Sequence, residues 1–298
     1  MDPFNMVKSI STILLLAAPF LTQASDIFVA DLTPKGQLYQ LENSRNITAR
    51  SGYDNQPMFN KDGSGLYYTA MFTQGDQQQT DSLFYNFADK SRTNITNTPK
   101  FSEYSPTPIN DETALSMIFV DETGSQKLWQ TDIKTGEQTP INLSIEPVGY
   151  HAWGKNKDLL LFVLGDEMML QYATDAKQQQ AEVITKNIGR SLRYNQTKDF
   201  FTFSKGKEEQ TLYRFDAATK AITPLLALPK GSQYYTWLDQ DTVISASGSN
   251  IYYWHYEPQL KTAKWQLLAD VTKDCPTSVS RLAVAPNQSK LAFVCEEK

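Results

Sequence analysis

A degenerate phrase, repeated along the sequence, is the feature that most limits how this 298-residue chain can fold. Its clearest copy, Gln56–Ala70, reads QPMFNKDGSGLYYTA. It places an apolar anchor at Phe59 and the hairpin-forming pair Asp62-Gly63 before an apolar strand. Successive anchors are 49, 45, 41, 43 and 47 residues apart: Phe59, Pro108, Trp153, Tyr194, Trp237 and Val284. This spacing, with four alternating strands in each unit, is typical of β-propeller blades.

The sixth unit is divided between the two ends of the chain. Its inner hairpin, Arg281–Val294, is the last repeat, whereas strands in phase with the outer half of a blade lie at 26–32 and before Asn46–Thr48. We therefore predict an all-β, six-bladed β-propeller whose last blade is closed by N-terminal strands pairing with C-terminal strands, which leaves no open edge. The segment Glu167–Val183 has the composition of a helix, but its place in the period predicts a hairpin.

Several phrases resemble the repeat of TolB-type propellers. Pro57–Tyr68 is similar to the Pro-x-Phe/Trp-Ser-Pro-Asp-Gly opening of that repeat, and residues 128–137 (LWQTDIKTGE) are similar to its Ile-Tyr-x-x-Asp-Leu…Thr-Gly-Glu. Asn46–Thr48 and Asn94–Thr96 resemble its closing Asn-Leu-Thr. The resemblance covers essentially all the chain after residue 24. It implies a TolB-like six-bladed propeller without the N-terminal α/β domain of TolB proper, and it does not choose among the many functions of such propellers.

The N-terminal residues have the pattern of a secretory signal peptide. A lysine precedes the apolar run Ile10–Leu21, and small residues up to Ala24 suit cleavage after that residue. We expect residues 1–24 to be the leader, with Met6 as an alternative start, and residues 25–298 to form one propeller domain, periplasmic or secreted. The apolar run is short for a bilayer span and no second run follows, so we expect no membrane span in the mature chain.

The cysteine count suggests one covalent link. Cys275 and Cys295 are the two cysteines of the sequence, and an exported chain meets an oxidising compartment where two cysteines can form one bridge. We expect a Cys275–Cys295 disulfide. The alternative is that Cys295 serves as a small buried apolar residue.

Charge and motif content argue against several classes of function. The formal net charge is −5, and the lysines and arginines are scattered, so we expect no nucleic-acid partner. The two histidines, His151 and His255, are far apart, whereas oligogalacturonate-lyase-like propellers use a His-rich metal site. No G-x-S-x-G motif occurs. We therefore predict no catalytic residues, no metal and no cofactor.

The candidate binding residues precede the anchors, where a loop from one blade enters the innermost strand of the next. They are mostly tyrosine and arginine, which dominate the energetics of protein interfaces. The set comprises Tyr53, Asp54, Tyr104, Tyr150, His151, Arg190, Arg193, Tyr234, Tyr235 and Arg281. The alternative interpretation is that the rings pack between blades and the arginines pair with nearby carboxylates.

Two functions from different classes fit this sequence. We favour an exported, non-enzymatic, monomeric propeller that acts as a protein-interaction or scaffold module, with an envelope protein or a cell-wall-associated partner. The alternative is a propeller that binds or cleaves a glycan or other small molecule through its central channel, where Trp153 and Trp237 could stack on sugars. Channel polarity discriminates them: convergent arginines or carboxylates favour the small-molecule alternative, and an apolar plug favours the interaction module.

Overall fold

The protein, described by a computed structural model over residues 24–36, 38–74, 77–257 and 264–297, is built from strands. These residues form six antiparallel sheets of four strands each and one short 3-10 helix, Asn110–Glu112. The sheets follow one another as the blades of a propeller, which confirms the predicted fold class. The predicted leader, apart from Ala24, lies outside the described residues.

The blades are numbered from the first that is continuous in sequence, and each is given from its inner to its outer strand. The chain first forms two strands of the sixth blade, β1 (Ser25–Lys35) and β2 (Leu38–Asn46). Blade 1 contains β3 (Asp54–Phe59), β4 (Gly65–Gln74), β5 (Gln77–Asn86) and β6 (Arg92–Asn94). Blade 2 contains β7 (Ser102–Ile109), β8 (Ala114–Val120), β9 (Gln126–Asp132) and β10 (Gln138–Asn142).

The remaining blades repeat this plan. Blade 3 contains β11 (Val148–Trp153), β12 (Leu159–Val163), β13 (Met169–Ala173) and β14 (Glu182–Lys186). Blade 4 contains β15 (Ile188–Asn195), β16 (Phe200–Lys205), β17 (Thr211–Phe215) and β18 (Ile222–Ala227). Blade 5 contains β19 (Tyr235–Trp237), β20 (Thr242–Ser247), β21 (Asn250–His255) and β22 (Gln266–Asp270). Blade 6 begins with β23 (Ser278–Val284) and β24 (Lys290–Glu296).

Blade 6 is completed by the N-terminal strands, as predicted. Its strand order is β2-β1-β24-β23, and β1 pairs with β24 in unbroken antiparallel register from Ser25 opposite Glu296 to Asp31 opposite Lys290. Phe28 lies opposite Phe293, and their rings stack with centroids 5.3 Å apart. The ring of blades is therefore closed by hydrogen bonds between the two ends of the described chain.

The disulfide lies in the same blade. Cys275, just before β23, is bonded to Cys295 in β24, with their Cα atoms 5.5 Å apart. Both cysteines are buried. The bond fixes the loop that enters the last blade to the strand that receives β1.

Burial differs between strands in a way that explains their sequences. The second strand of a blade is covered by neighbouring blades on both faces, so every residue of β12 (LLLFV) is buried, and such strands become continuous apolar runs. The third strand, for example β17, alternates between buried and half-buried residues. The segment with helical composition forms the β13–β14 hairpin, as its place in the period predicted.

The apolar core is distributed between the blades. Six clusters of buried side chains are found among the described residues, and each joins two neighbouring blades. The cluster between blades 6 and 1 contains Val29, Phe59, Leu66 and Val294. Burial of each such side chain contributes about 1.5–3 kcal/mol, so the stability of every blade depends on both of its neighbours.

Candidate functional site

Six side chains, one from each blade, meet in the channel at the end where the inner strands begin. They line a cavity of about 500 Å³, within the range of roughly 300–1,000 Å³ for ligand pockets. They are Tyr53, Tyr104, Tyr150, Arg190, Tyr234 and Arg281. The sequence predicted all six as binding residues but placed them on entering loops. Instead, four lie on inner strands and two immediately precede them, because strand pairing begins before the anchors are reached.

The guanidinium of Arg281 crosses this channel. Arg281 belongs to blade 6, which lies opposite blade 3 in the ring. Its Nη2 atom nevertheless donates a hydrogen bond of 3.0 Å to the hydroxyl of Tyr150 in blade 3. The same Nη2 atom donates one of 3.1 Å to the Tyr234 hydroxyl of blade 5. The Cζ atom lies 4.2 Å from the ring centroid of Tyr234 and 5.2 Å from that of Tyr150, which are cation–π distances. Arg281 thus links three blades.

Burial and charge together set the ionisation of this cluster. Burial raises the pKa of Tyr53 and of Tyr234. Burial also raises the pKa of Tyr150, but the positive charges of Arg281 and Arg190 lower this pKa by more than burial raises it. The net pKa of Tyr150 therefore lies below the ordinary value of 10.0. Burial lowers the pKa of Arg281, and the surrounding phenols more than reverse this effect. The guanidinium therefore keeps its charge inside the channel.

The cavity presents more positive than negative groups. Glu296 is the one carboxylate among the residues that line it, against Arg190 and Arg281, and burial raises the pKa of Glu296. Within the described chain, no carboxylate oxygen approaches Arg281 to the 4.0 Å of an ion pair. A polar ligand that carries negative charge would therefore complement this lining.

The other four predicted residues do not line the cavity, because adjacent residues on a strand point to opposite sides. Asp54 is fully buried and accepts a 2.8 Å bond from Arg50, and burial raises the pKa of Asp54 to about 6. Tyr235 is also fully buried. Arg193 donates to the Thr236 hydroxyl and to the carbonyl of its neighbour Leu192. Arg193 thus links the inner strands of blades 4 and 5. The binding role of these three residues stays a prediction.

The fourth of these residues, His151, forms a serine–histidine pair. Its Nε2 atom lies 2.8 Å from the Oγ atom of Ser116, which also accepts a 2.9 Å bond from Nε1 of Trp153. Ser116 has no exposed surface, and burial lowers the pKa of His151 to about 4. The pair lies behind the cavity wall, where its hydrogen bonds connect blades 2 and 3.

Several lining residues were not predicted from the sequence. Amide side chains contribute strongly, including Gln56, Gln78 and Gln126. Gln56 adopts a positive φ of 56°, and its Oε1 atom accepts bonds from the Thr69 hydroxyl and the Ser105 backbone N–H at 2.8 and 2.7 Å. Period-two alternation from Tyr53 would have indicated the neighbouring strand positions. The place of Glu296 follows only from the register of the closing blade.

Two features, a membrane-spanning helix and a cluster of metal-binding side chains, are not found among the described residues. No helix in them is long and apolar enough to cross a bilayer. The same residues hold no group of three or more histidine, cysteine, aspartate or glutamate side chains placed to bind a metal ion.

The fold defines a class of protein, the six-bladed β-propeller, and solved structures of TolB proteins share this fold. A solved structure assigned as TolB from Agrobacterium tumefaciens is 12% identical, covers 93% of this chain and 99% of its own, and gives a TM-score of 0.67. TolB from Acinetobacter baumannii is 10% identical and gives a TM-score of 0.57; the match covers 92% of this chain and 64% of that longer one.

The structure of an enzyme resembles this chain about as closely as TolB from Acinetobacter baumannii does. An oligogalacturonate lyase solved in complex with manganese is 13% identical, with 87% of this chain and 83% of that chain covered and a TM-score of 0.55. No protein-family model and no curated protein matches the sequence. At such identities the likeness to solved structures shows the fold alone.

Proposed function

We propose that this protein is an exported, non-enzymatic interaction module of the bacterial periplasm or envelope, which binds a partner protein at the channel mouth. The observation that carries this proposal is the ring of six side chains, one from each blade, around one cavity. Four of the six are tyrosines and two are arginines. Both residue types supply large contact areas and directional hydrogen bonds at protein interfaces.

The location rests on the predicted leader and agrees with the disulfide. A signal peptide before Ser25 would deliver the chain to an oxidising compartment, where the Cys275–Cys295 bond is stable. The proposed active form is a monomer, because closure of blade 6 within one chain leaves its inner strands paired.

A second candidate, binding of a glycan or other small molecule, is favoured by one specific observation. Arg190 and Arg281 converge on the channel cavity and give it polar groups beside apolar side chains such as Phe162. That polarity suits a charged small molecule, and it also suits a polar segment of a partner. We place the interaction module first because four of the six ring residues are tyrosines, a residue type enriched at protein interfaces. Cleavage is disfavoured because the Ser116–His151 pair is buried behind the cavity wall.

An affinity experiment tests the leading proposal. Mature protein from Ser25 is used as bait against detergent-solubilised envelope extract of the source organism, with quantitative mass spectrometry. A second bait carries Tyr104→Ala and Arg190→Ala at the mouth. A third carries Lys134→Ala and Glu137→Ala in the exposed β9–β10 turn at the opposite end of blade 2.

The expected result is a partner retained by the first and third baits and lost by the second. Loss from both variants would show a partner bound elsewhere. If no specific partner is retained while a thermal-shift screen of glycans and metabolites gives a hit abolished by Arg190→Ala, the small-molecule candidate replaces the interaction module.

A further inference from the structure

The guanidinium of Arg281 has donors that the protein does not use. The hydroxyls of Tyr150 and Tyr234 both take their bonds from Nη2. In the part of the chain that the structure describes, Nε and Nη1 have no hydrogen-bond acceptor. Since Arg281 is only half-buried and lines the cavity, these N–H groups are within reach of a ligand.

Arg281 also lacks the counter-ion that a charge inside a protein normally has. A buried charge is usually paired, because removing it from water is costly. Here the nearest partners are the hydroxyls of two tyrosines, and none of the described carboxylates lies at ion-pair distance. By contrast Arg50 and Arg214, elsewhere on the propeller, each pair with an aspartate, at 2.8 and 3.0 Å.

We propose that Arg281 is the receptor for a carboxylate group of the ligand that enters the channel. The N–H groups that remain on Nε and Nη1 can each donate a charge-assisted hydrogen bond to a carboxylate oxygen. Tyr150 and Tyr234 hold the guanidinium across the channel, and Arg190 adds a second positive charge to the lining. This inference rests on the proposal that the channel mouth is the binding site, and it goes further by naming the chemistry recognised.

A carboxylate can come from two sources that share this chemistry. It can be the C-terminal carboxylate of a partner's peptide chain, inserted from the mouth, or it can belong to a small organic acid. The cavity of about 500 Å³ admits either a few residues or a small molecule. Inorganic phosphate carries negative charge but has no organic part to fill the rest of this cavity, so it serves as the contrasting anion.

Isothermal titration calorimetry on the mature protein separates these possibilities with four probes. They are a pool of acetylated tetrapeptides with free carboxyl ends, the same pool amidated, succinate, and inorganic phosphate. We expect binding of the free-acid pool or of succinate to be at least about tenfold tighter than that of the amidated pool or of phosphate, as befits bonds to a charged group. The free-acid pool and succinate arms then identify the source.

Three variants assign the effect to Arg281. Arg281→Gln is expected to weaken carboxylate binding about 10- to 100-fold. Arg281→Lys should recover part of the loss, because lysine keeps the positive charge but places its donors on a more flexible side chain. Arg214→Gln, which removes an arginine of the outer part of blade 4, is the matched control and should stay within about twofold, as surface changes generally do. Should Arg281→Gln fail to fold, Arg281→Lys and the double variant Tyr150→Phe with Tyr234→Phe carry the test.

The inference is overturned if no carboxylate binds, if the amidated pool or phosphate binds equally well, or if the folded Arg281 variants bind as wild type does. Its failure is distinguishable from failure of the proposed function. A protein partner still lost from the Tyr104→Ala, Arg190→Ala bait would keep the interaction module without a carboxylate receptor, whereas succinate binding without any protein partner would keep the receptor and remove the interaction module.

Discussion

The side-chain amide of Asn46 donates a hydrogen bond of 2.7 Å to the carboxylate of Asp26, joining β2 to β1 in the blade that closes the ring. The hydroxyl of Thr48 donates to the same carboxylate at 2.8 Å and accepts the backbone N–H of Ile27 at 2.9 Å. Blade 1 repeats the arrangement, with Asn94 donating to Asp81 at 2.7 Å. The Asn-Ile-Thr phrase is therefore a clasp between the fourth and third strands of a blade.

Removing the acceptor of this clasp is expected to destabilise the closed ring. Asp26→Ala leaves Asn46 and Thr48 without their partner, which should lower the free energy of unfolding by about 1–3 kcal/mol. Urea denaturation followed by tryptophan fluorescence measures the loss. Asp81→Ala in blade 1 is the matched variant, and Glu122→Ala, at an exposed ion pair with Lys100, is the control that should change little. A neutral Asp26→Ala would contradict the role of the clasp.

The Cys275–Cys295 bond is expected to stabilise the last blade. It closes a loop with a sequence separation of 20 residues, and a loop of this length corresponds to about 3 kcal/mol in the chain-entropy account. Thermal melts with and without reductant measure the effect. The double variant Cys275→Ala, Cys295→Ala should melt at the lower temperature in both conditions. Equal melting of wild type with and without reductant would count against the prediction.

His151 is expected to make the protein sensitive to acid. Its pKa is lowered by burial from 6.5 to about 4, so the unfolded chain binds this proton first, and stability falls as the pH drops from 6.5 towards 4. This linkage lowers the free energy of unfolding by about 3 kcal/mol over that pH range. His151→Gln should be less stable than wild type at pH 7, with a difference that shrinks on acidification. Parallel pH profiles of the two proteins, from urea denaturation between pH 4 and 7.5, would refute this assignment.

Glu103 is expected to lower the stability of the protein as the pH rises, which is opposite to the effect of His151. This residue is fully buried, and burial raises its pKa from 4.5 to about 7, so the folded state holds the proton and stability falls as the pH rises from 4.5 through 7. Glu103→Gln keeps an oxygen for the bond from Thr98. It should gain about 1–3 kcal/mol at pH 8 and little at pH 4. Glu137→Gln, a surface change at an exposed turn, is the control and should alter stability little. A gain for Glu103→Gln at both pH values would argue against titration.

Tyr150 is expected to ionise at a lower pH than an ordinary tyrosine. Although burial raises its pKa, Arg281 and Arg190 bring the net pKa below 10.0. Absorbance at 295 nm during an alkaline titration should therefore show an early phenolate step. Tyr150→Phe should remove that step, and Arg281→Gln should move it to higher pH, because one of the two cations is lost. An early step that survives in Tyr150→Phe would belong to another tyrosine.

The fold could be predicted from the sequence because its determinants are local and repeated. The turn at Asn60 to Gly63 is an example: Gly63 has a φ of 74°, and the side chain of Asn60 donates to Asp62 and Ser64. The anchors fix the ends of the inner strands, and their regular spacing requires the missing half-blade to come from the other terminus. Helical propensity in residues 167–183 was overridden by pairing with the neighbouring strand.

The candidate site could be predicted only in part, because two kinds of information are not local. Neighbouring pairs such as Tyr150 and His151, or Tyr234 and Tyr235, were both assigned to binding, although strand geometry allows only one of each pair to face the channel. The reach of Arg281 across the ring to Tyr150 depends on the width of the channel and on side-chain length. The repeated sequence phrase does not predict this contact.

Closure of blade 6 also constrains the order of events during synthesis. β1 is made first, but its partner β24 is the last strand of the described chain, with Ser25 opposite Glu296. Blades 1 to 5 are each continuous in sequence and can form their hairpins as they emerge. The first strand produced must therefore stay unpaired on that edge until nearly the whole chain has been made, so the propeller is completed by its oldest segment.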